Sequence, residues 1–489
     1  MRYRTTIALV LLLLGLGAYV YWVELPKVEQ ETKKKTLFEF KADDATEVSL
    51  VYADREIVLK KSGDDWRLVK PLDVAADSTT AKNLVSAIAE CEVKKELTDA
   101  STNLAQYGLD APLVKVTVKL KDKELPTVLV GKNSPVGFST YIEKVDDKKI
   151  LLTSSAFRSG MDKSVKDLRD KTILTFADGD VQKVALLGEN NAITLVQKDG
   201  NWTVDPPGPY AADAATVRSF LSTLRSMRAV DFPDAPSDPS AYGLDNPRLT
   251  VALYVGKDNL EKSLRLGKEN DKKEIYVQAS GQPPTTYTVS DWVFRDLNKT
   301  LTDFRDKTLL AFDRDKASAI AVTRKDGGQF KLVRGADKQW KVEGADGKPA
   351  ETAINQYLGD VHDLKGYDII TDQPADVTPF GLAQPLLKIS VIGDENKPLG
   401  SILLAQRPSE EGKKEYAAMT ENGPTVFLVR DYLITRLNKT AQDFIEKPTP
   451  PPGTPPVPAP AALRGGEPAE NEPLDEGDGM DDGAGGEQD

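Results

Sequence analysis

A segment opening on Lys-Thr-Leu or Lys-Thr-Ile is written three times in this chain, and that repetition limits the fold more than any other feature. Lys35-Thr36-Leu37, Lys171-Thr172-Ile173 and Lys307-Thr308-Leu309 stand 136 residues apart, each followed by Phe40, Phe176 or Phe312. Trp66, Trp202 and Trp340 recur at spacings of 136 and 138. Tyr107-Gly108-Leu109, Tyr242-Gly243-Leu244 and Phe380-Gly381-Leu382 recur at 135 and 138. A repeat of that length can bury its own core, so the copies read as domains and not as solenoid repeats that need neighbours to fold. The expected domains are residues 37–172, 173–308 and 309–447, with 1–36 before them and 448–489 after. A chain of 489 residues suits about three ordinary domains on length alone. Such an array points to an extended platform and not to one active site.

Within the first repeat, Val48–Tyr52, Ile57–Leu59 and Trp66–Val69 read as short strands of an antiparallel meander, ended by Pro71, with the tryptophan on the buried face. Lys183–Leu187, Ile193–Val196 and Trp202–Val204 match them in the second. A helix follows, with Asp77 or Asp213 placed to accept its first free N–H groups. Its apolar residues keep a 3.6-residue period: Leu84, Val85, Ile88 and Cys91, then Phe220, Leu221, Leu224 and Met227, then Tyr357, Leu358, Val361 and Leu364. The third copy lacks the aspartate and enters through Gly347-Lys348-Pro349.

Next comes the Tyr/Phe-Gly-Leu turn with Pro112, Pro247 or Pro385. Gly108, Gly243 and Gly381 are expected to take a backbone angle barred to other residues. The prolines cannot donate to a ladder and so mark strand entrances. Alternating apolar strands start two residues later at Val114, Leu249 and Leu387, and Tyr141, Tyr276 and Tyr416 fall two strands further on. One closing helix is expected over Phe157, Met161, Val165 and Leu168, with counterparts Val293, Leu297, Leu301 and Phe304, and Leu433, Leu437, Ala441 and Phe444. It ends in Arg169-Asp170-Lys171, Arg305-Asp306-Lys307 or Ile445-Glu446-Lys447. No Gly/Ser linker separates the copies, so a fairly stiff array is expected. The fold class is α+β: three tandem, mainly antiparallel domains of about seven strands and two helices each, after one transmembrane helix.

That helix is read from Thr5–Val23, 19 residues without a charge. At about 1.5 Å per residue it spans ~28 Å, near the thickness of a bilayer core. Arg2 and Arg4 precede it, and Tyr19, Tyr21 and Trp22 sit at its far end. A cleaved signal peptide is the alternative, but no small-x-small site follows the apolar run. A single-pass signal-anchor in the cytoplasmic membrane, with the bulk of the chain periplasmic, is the expectation. Residues 24–34 read as a stalk. Pro448–Pro460 holds eight prolines, which suit extended polyproline and cannot form a core. The acidic, Gly-rich residues after it are expected to be disordered.

Formal charge is −12, and residues 463–489 carry ten acidic groups against Arg464 alone, which is −9 and leaves −3 for the rest. Nucleic-acid binding needs clustered cations and is not expected. His362 is the single histidine, aligned with Ala89 and Arg225 one residue past the core face, and is expected to face solvent. Cys91 is the single cysteine and aligns with Met227 and Leu364, which suits a small core residue and not a nucleophile. No metal-ligand cluster, phosphate loop or nucleophile elbow is written in the chain. No cofactor is expected and no enzymatic activity, because a catalytic residue seldom survives in three equivalent places. The signature residues Trp66, Trp202, Trp340, Tyr107, Gly108, Tyr242, Gly243, Phe380, Gly381, Asp170, Lys171, Asp306 and Lys307 are read as structural. In particular, the Asp-Lys pairs read as a helix end locked to the next copy.

The pattern of membrane anchor, tryptophan strand, Tyr-Gly-Leu-x-x-Pro turn, Leu-Gly strand end and Asp-Leu-Arg-Asp-Lys helix end resembles a bacterial envelope family. It is a domain family of unknown function often encoded beside gliding-motility-type ABC transporter components. Trp66, Tyr107, Gly108, Leu109, Pro112, Gly131, Arg169, Asp170 and Lys171 carry the resemblance, over about residues 37–447. The third copy departs from it at Phe380 and Ile445-Glu446. The resemblance implies a periplasmic accessory role near an export-type transporter and supplies no active site. Two functions are therefore carried forward: a scaffold or accessory protein with partners in a membrane transport complex, and a module binding a glycan or lipid in inter-domain grooves.

Overall fold

Alternating apolar residues place one face of each strand in a core. The computed structural model describes residues 35–98, 103–189, 191–206, 208–233, 238–281, 285–408 and 414–447. The expected anchor at 5–23, the stalk and the tail at 448–489 lie outside them. Among the described residues no helix is long and apolar enough to cross a membrane. The chain divides into two compact bodies, residues 1–307 and 308–489. The first holds two sheets, the second one.

In the first repeat, β1 (Ala45–Val51), β2 (Glu56–Ser62), β3 (Asp65–Lys70) and β4 (Val74–Ala75) form the meander. Helix α1 (Ser78–Ala89) crosses to β5 (Lys95–Glu96), and β6 (Val114–Leu120), β7 (Val128–Asn133), β8 (Ser139–Lys144) and β9 (Lys149–Ser154) form the second half. All are one antiparallel sheet in the order β4-β3-β2-β1-β6-β7-β8-β9-β5, so β1 pairing with β6 welds the halves. The second repeat has the order β13-β12-β11-β10-β14-β15-β16-β17, with β10 (Val181–Gly188), β11 (Asn191–Lys198), β12 (Asn201–Val204), β13 (Tyr210–Ala211), β14 (Leu249–Val255), β15 (Leu260–Glu269), β16 (Glu274–Ala279) and β17 (Thr285–Ser290). The third has β20-β19-β18-β22-β23-β24-β25-β21, with β18 (Ala317–Arg324), β19 (Gln329–Arg334), β20 (Trp340–Glu343), β21 (Asp368–Asp372), β22 (Leu387–Gly393), β23 (Pro398–Arg407), β24 (Glu415–Thr420) and β25 (Thr425–Val429). The expectation of seven strands is corrected to nine, eight and eight. Two-residue strands such as Val74–Ala75 and Tyr210–Ala211 are too short to leave a periodicity in sequence.

Each sheet lays its main helix on one face. Leu84, Val85 and Ile88 of α1 meet Val48, Leu50, Ile57 and Leu59 in one core. Phe220, Leu221 and Leu224 of the second repeat, and Tyr357, Leu358 and Val361 of the third, do the same in theirs. Each such fully buried side chain contributes about 1.5–3 kcal/mol. Asp77 Oδ1 accepts the Thr80 N–H at 2.6 Å and Asp213 Oδ1 the Thr216 N–H at 2.8 Å, while the third helix, Glu351–His362, follows Ala350 and has no side-chain cap.

The Asp77 cap yields a testable pH effect. Burial pushes its carboxyl upward, but the Thr80 backbone and side chain, Lys171 and Arg228 outweigh it and hold the group below its ordinary value. A lowered folded-state value means the contribution is complete above about pH 4 and is lost as pH falls through the folded value. Asp77→Ala is expected to cost about 1 kcal/mol near neutrality and progressively less as pH falls below about 4, read from urea midpoints across that range.

The single closing helix is corrected to two short pieces. They are α2 (Ser155–Met161) and α3 (Val165–Leu168) in the first repeat, and Asp291–Leu297 and Leu301–Phe304 in the second. In the third they are Asp431–Leu437 and a 3-10 turn, Ala441–Phe444. A capping box restarts the chain each time, Ser164 with Asp167, Thr300 with Asp303 and Thr440 with Asp443. The first hairpin holds the break. Arg55 donates to the Lys163 carbonyl at 3.2 Å, Asn191 to the Lys299 carbonyl at 2.7 Å and Arg324 to the Lys439 carbonyl at 3.5 Å.

Candidate functional site

The signature residues go mostly to packing. Trp66 and Trp340 are 4% and 5% exposed and belong to the cores. Trp202 is only half-buried, a correction to the uniformly buried tryptophan expected; it packs against the second core from its edge. Gly108, Gly243 and Gly381 take φ of 63°, 68° and 75°, the left-handed region that ends each short 3-10 turn. Tyr107 lies edge-on to Tyr141 at 5.0 Å, and Tyr242 stacks on Tyr276 at 4.3 Å. Phe380 packs against a small satellite cluster of Leu382, Ala405, Ala417, Met419 and Val426.

The Arg-Asp-Lys ends act through their backbone. The Asp170 N–H donates to the Ala75 carbonyl at 3.0 Å and Asp170 Oδ1 accepts the Thr172 N–H at 2.9 Å. The Lys171 carbonyl accepts the Ala229 N–H at 2.9 Å, and Thr172 bridges Arg228. Residues 169–172 therefore ladder onto both the first and the second repeat. The guanidinium of Arg169, 6% exposed, lies 3.8 Å over the Phe232 ring, and Lys166 sits 3.3 Å from Asp231. In the second repeat the Asp306 N–H donates to the Ala211 carbonyl at 2.8 Å, the Lys307 ammonium reaches the Arg305 carbonyl at 3.5 Å, and Arg305 stacks on Tyr210 at 3.8 Å.

The two residues singled out for reactivity are packed. Burial pushes the Cys91 thiol up to about 11, despite a contact with the Thr153 hydroxyl at 3.3 Å, so it is a thiol and not a thiolate at neutral pH. His362 is half-buried and not simply solvent-facing: its ring stands edge-on to Phe312 at 5.3 Å and its Nδ1 is 2.6 Å from Asp363.

Four grooves open among the described residues of the first body, and one of about 430 Å³ beside Trp66 is walled by Asp43, Lys61, Asp64 and Lys82. Of the other three, one of about 470 Å³ is the open face of the first sheet, where Glu47 pairs with Lys119 at 2.7 Å and Glu56 with Lys70 at 3.1 Å. A second, about 440 Å³, lies beside the helix break of the second repeat, where Arg248 covers Phe294 at 3.9 Å. A third, about 290 Å³, is walled by Asp231, Phe232, Asn270, Glu274 and Tyr276, with Thr288 lining it. The first two expose ion pairs and a capped helix end that are already satisfied. The third brings together an aromatic ring, carboxylates, an amide and a hydroxyl, the mixture that fixes a ligand's orientation. Sequence reading singled out Tyr276 alone of these as a recurrent residue: Asp231, Phe232 and Asn270 lie outside the named strands, and Glu274 and Thr288 are strand residues with no recurrent type. Among the described residues no group of histidine, cysteine, aspartate and glutamate could hold a metal ion.

A family model described as "Domain of unknown function (DUF4340)" matches residues 66–247, 202–373 and 350–449, and the chain belongs to that family. The first two matches begin at the equivalent tryptophans Trp66 and Trp202. No curated protein matches the chain. Among solved structures, a DnaN sliding clamp (DNA polymerase III subunit beta) from Pseudomonas aeruginosa bound to griselimycin aligns at 6% identity, over 81% of this chain and 94% of that one. Its TM-score of 0.12 carries no argument about fold or function.

Proposed function

We propose that this DUF4340-family chain is a non-enzymatic scaffold of the bacterial envelope, an accessory component of an ABC-type transport or export complex. The apolar run at 5–23 anchors it in the cytoplasmic membrane, and the repeats stand on the periplasmic side. One observation carries the reading: signature residues repeated in every copy are spent on cores and on the seam at 169–172, which leaves sheet faces and grooves as the parts free to vary with a partner. The repeated tryptophans of the first and third copies offer no platform for a ligand, since Trp66 and Trp340 are inside.

The test is chemical cross-linking in native membranes, purification in mild detergent and mass spectrometry of what comes with the chain. A permease or its auxiliary subunit, cross-linked to surface lysines of one repeat, is the expected result. Recovery of the chain with no protein companion would overturn the scaffold reading.

A further inference from the structure

The second repeat departs from its siblings at one position facing a groove. Leu152, Thr288 and Leu428 are equivalent: their carbonyls accept the N–H of Lys94 at 2.8 Å, Val230 at 2.8 Å and Tyr367 at 2.9 Å. They pair across the sheet edge with Lys95, Asp231 and Asp368. Two copies put leucine there. The second puts a threonine, 2% exposed, whose Oγ1 has no hydrogen-bond partner. Leaving a buried hydroxyl unpaired costs about 1–3 kcal/mol, which leucine does not incur.

Thr288 lines the 290 Å³ groove, and several of the other lining groups already have partners. Asn270 donates to Glu274 at 3.1 Å and accepts the Lys272 and Glu274 N–H groups, each at 2.9 Å. Tyr276 is braced by Tyr242, and Phe232 by Arg169. Asp231 accepts its neighbour Phe232's N–H at 3.0 Å and faces the Lys166 ammonium. Three carboxylates, Asp231, Asp271 and Glu274, stand against Lys166 and Lys272, so neither a phosphate nor a polycation is strongly drawn in. Acceptors and donors in near balance beside an aromatic ring suit a neutral ring rich in hydroxyls.

We propose that this groove binds one neutral sugar ring of a glycan, with Thr288 Oγ1, Asp231 and Glu274 meeting its hydroxyls and Tyr276 its apolar face. The site goes beyond the scaffold role and does not rest on it; either can fail alone. Thr288 Oγ1 is buried in the free chain, so a bound sugar meets it only when the groove opens around it.

Calorimetric titration of the full-length chain, in a detergent without a sugar headgroup, tests this. The probes are neutral oligomers of glucose and of N-acetylglucosamine, and separately inorganic phosphate. At least one saccharide is expected to bind with Kd between about 10 μM and 1 mM, and phosphate not at all. Thr288→Ser should bind within about threefold of wild type, and Thr288→Leu at least about tenfold more weakly with its thermal midpoint held or raised, as leucine stands there in both siblings. Glu274→Gln serves as a second weakened variant should Thr288→Leu misfold. Silence toward every saccharide at millimolar concentration, phosphate binding in their place, or undiminished binding by both variants would overturn the proposal.

Discussion

Gly131→Ala is expected to destabilise the second half of the first sheet by about 3 kcal/mol, at the upper end for an added methyl group. A Cβ at Gly131 would overlap the Tyr107 carbonyl oxygen and crowd Leu109, and one at Gly267 would overlap the Tyr242 carbonyl in the second repeat. These are backbone atoms that no rotamer change removes. The turn is also pinned from the other side, since Gly108 lies against the Lys132 amide and Arg158 Nε donates to the Gly131 carbonyl at 2.9 Å. The third repeat supplies the control. Ala405 stands at the equivalent place, aligned by Leu404 pairing with Leu387 and Ala418, and there the turn is shortened to Thr378–Phe380. Hydrogen exchange read peptide by peptide should show protection lost over residues 103–154 while the third repeat is unchanged. Unaltered exchange would mean the turn can step aside and that the Leu-Gly pair is not a steric requirement.

Phe304→Ala should cost about 3–5 kcal/mol, the range for deleting a fully buried aromatic ring. Phe304 is 0% exposed and meets Phe220 edge-to-face at 5.3 Å, a geometry that adds about 0.5–1.5 kcal/mol beyond burial. It ends the short helix restarted by Thr300 and Asp303, so its loss frees that turn as well as opening a cavity. Leu168 fills the same place in the first repeat, and Phe304→Leu should therefore cost under about 1.5 kcal/mol. Denaturant unfolding followed by exchange in the second repeat separates the two. Equal losses for alanine and leucine would point to the ring's edge contact and not its volume.

Much of this fold could be read from residues. The αL glycines, the aspartate caps and the strands entered two residues past a proline each have one local cause, and each cause leaves a residue type at a fixed offset. The third-repeat helix, uncapped in sequence, is uncapped in space. What was missed has one local part, and the rest depends on residues far apart in the chain. The helix break was written as Ser164-x-x-Asp167, but the apolar period of Phe157, Met161, Val165 and Leu168 runs straight through it and reads as one helix. Trp202 is half-buried although its spacing matches Trp66, since spacing cannot report how far a neighbouring edge extends. Of the 290 Å³ groove only Tyr276 was legible. Thr288 has meaning only beside Leu152 and Leu428, and that comparison needs the strand register.

The segment at 169–172 is where the first copy would ordinarily be said to end and the second to begin. Its hydrogen bonds to Ala75 on one side and to Ala229 on the other leave no slack backbone between the two sheets. The join behaves as a seam and not as a hinge. A pull transmitted along this stretch of chain would be borne by laddered hydrogen bonds and by the Arg169–Phe232 stack, so tension in the first sheet reaches the second before either core has opened.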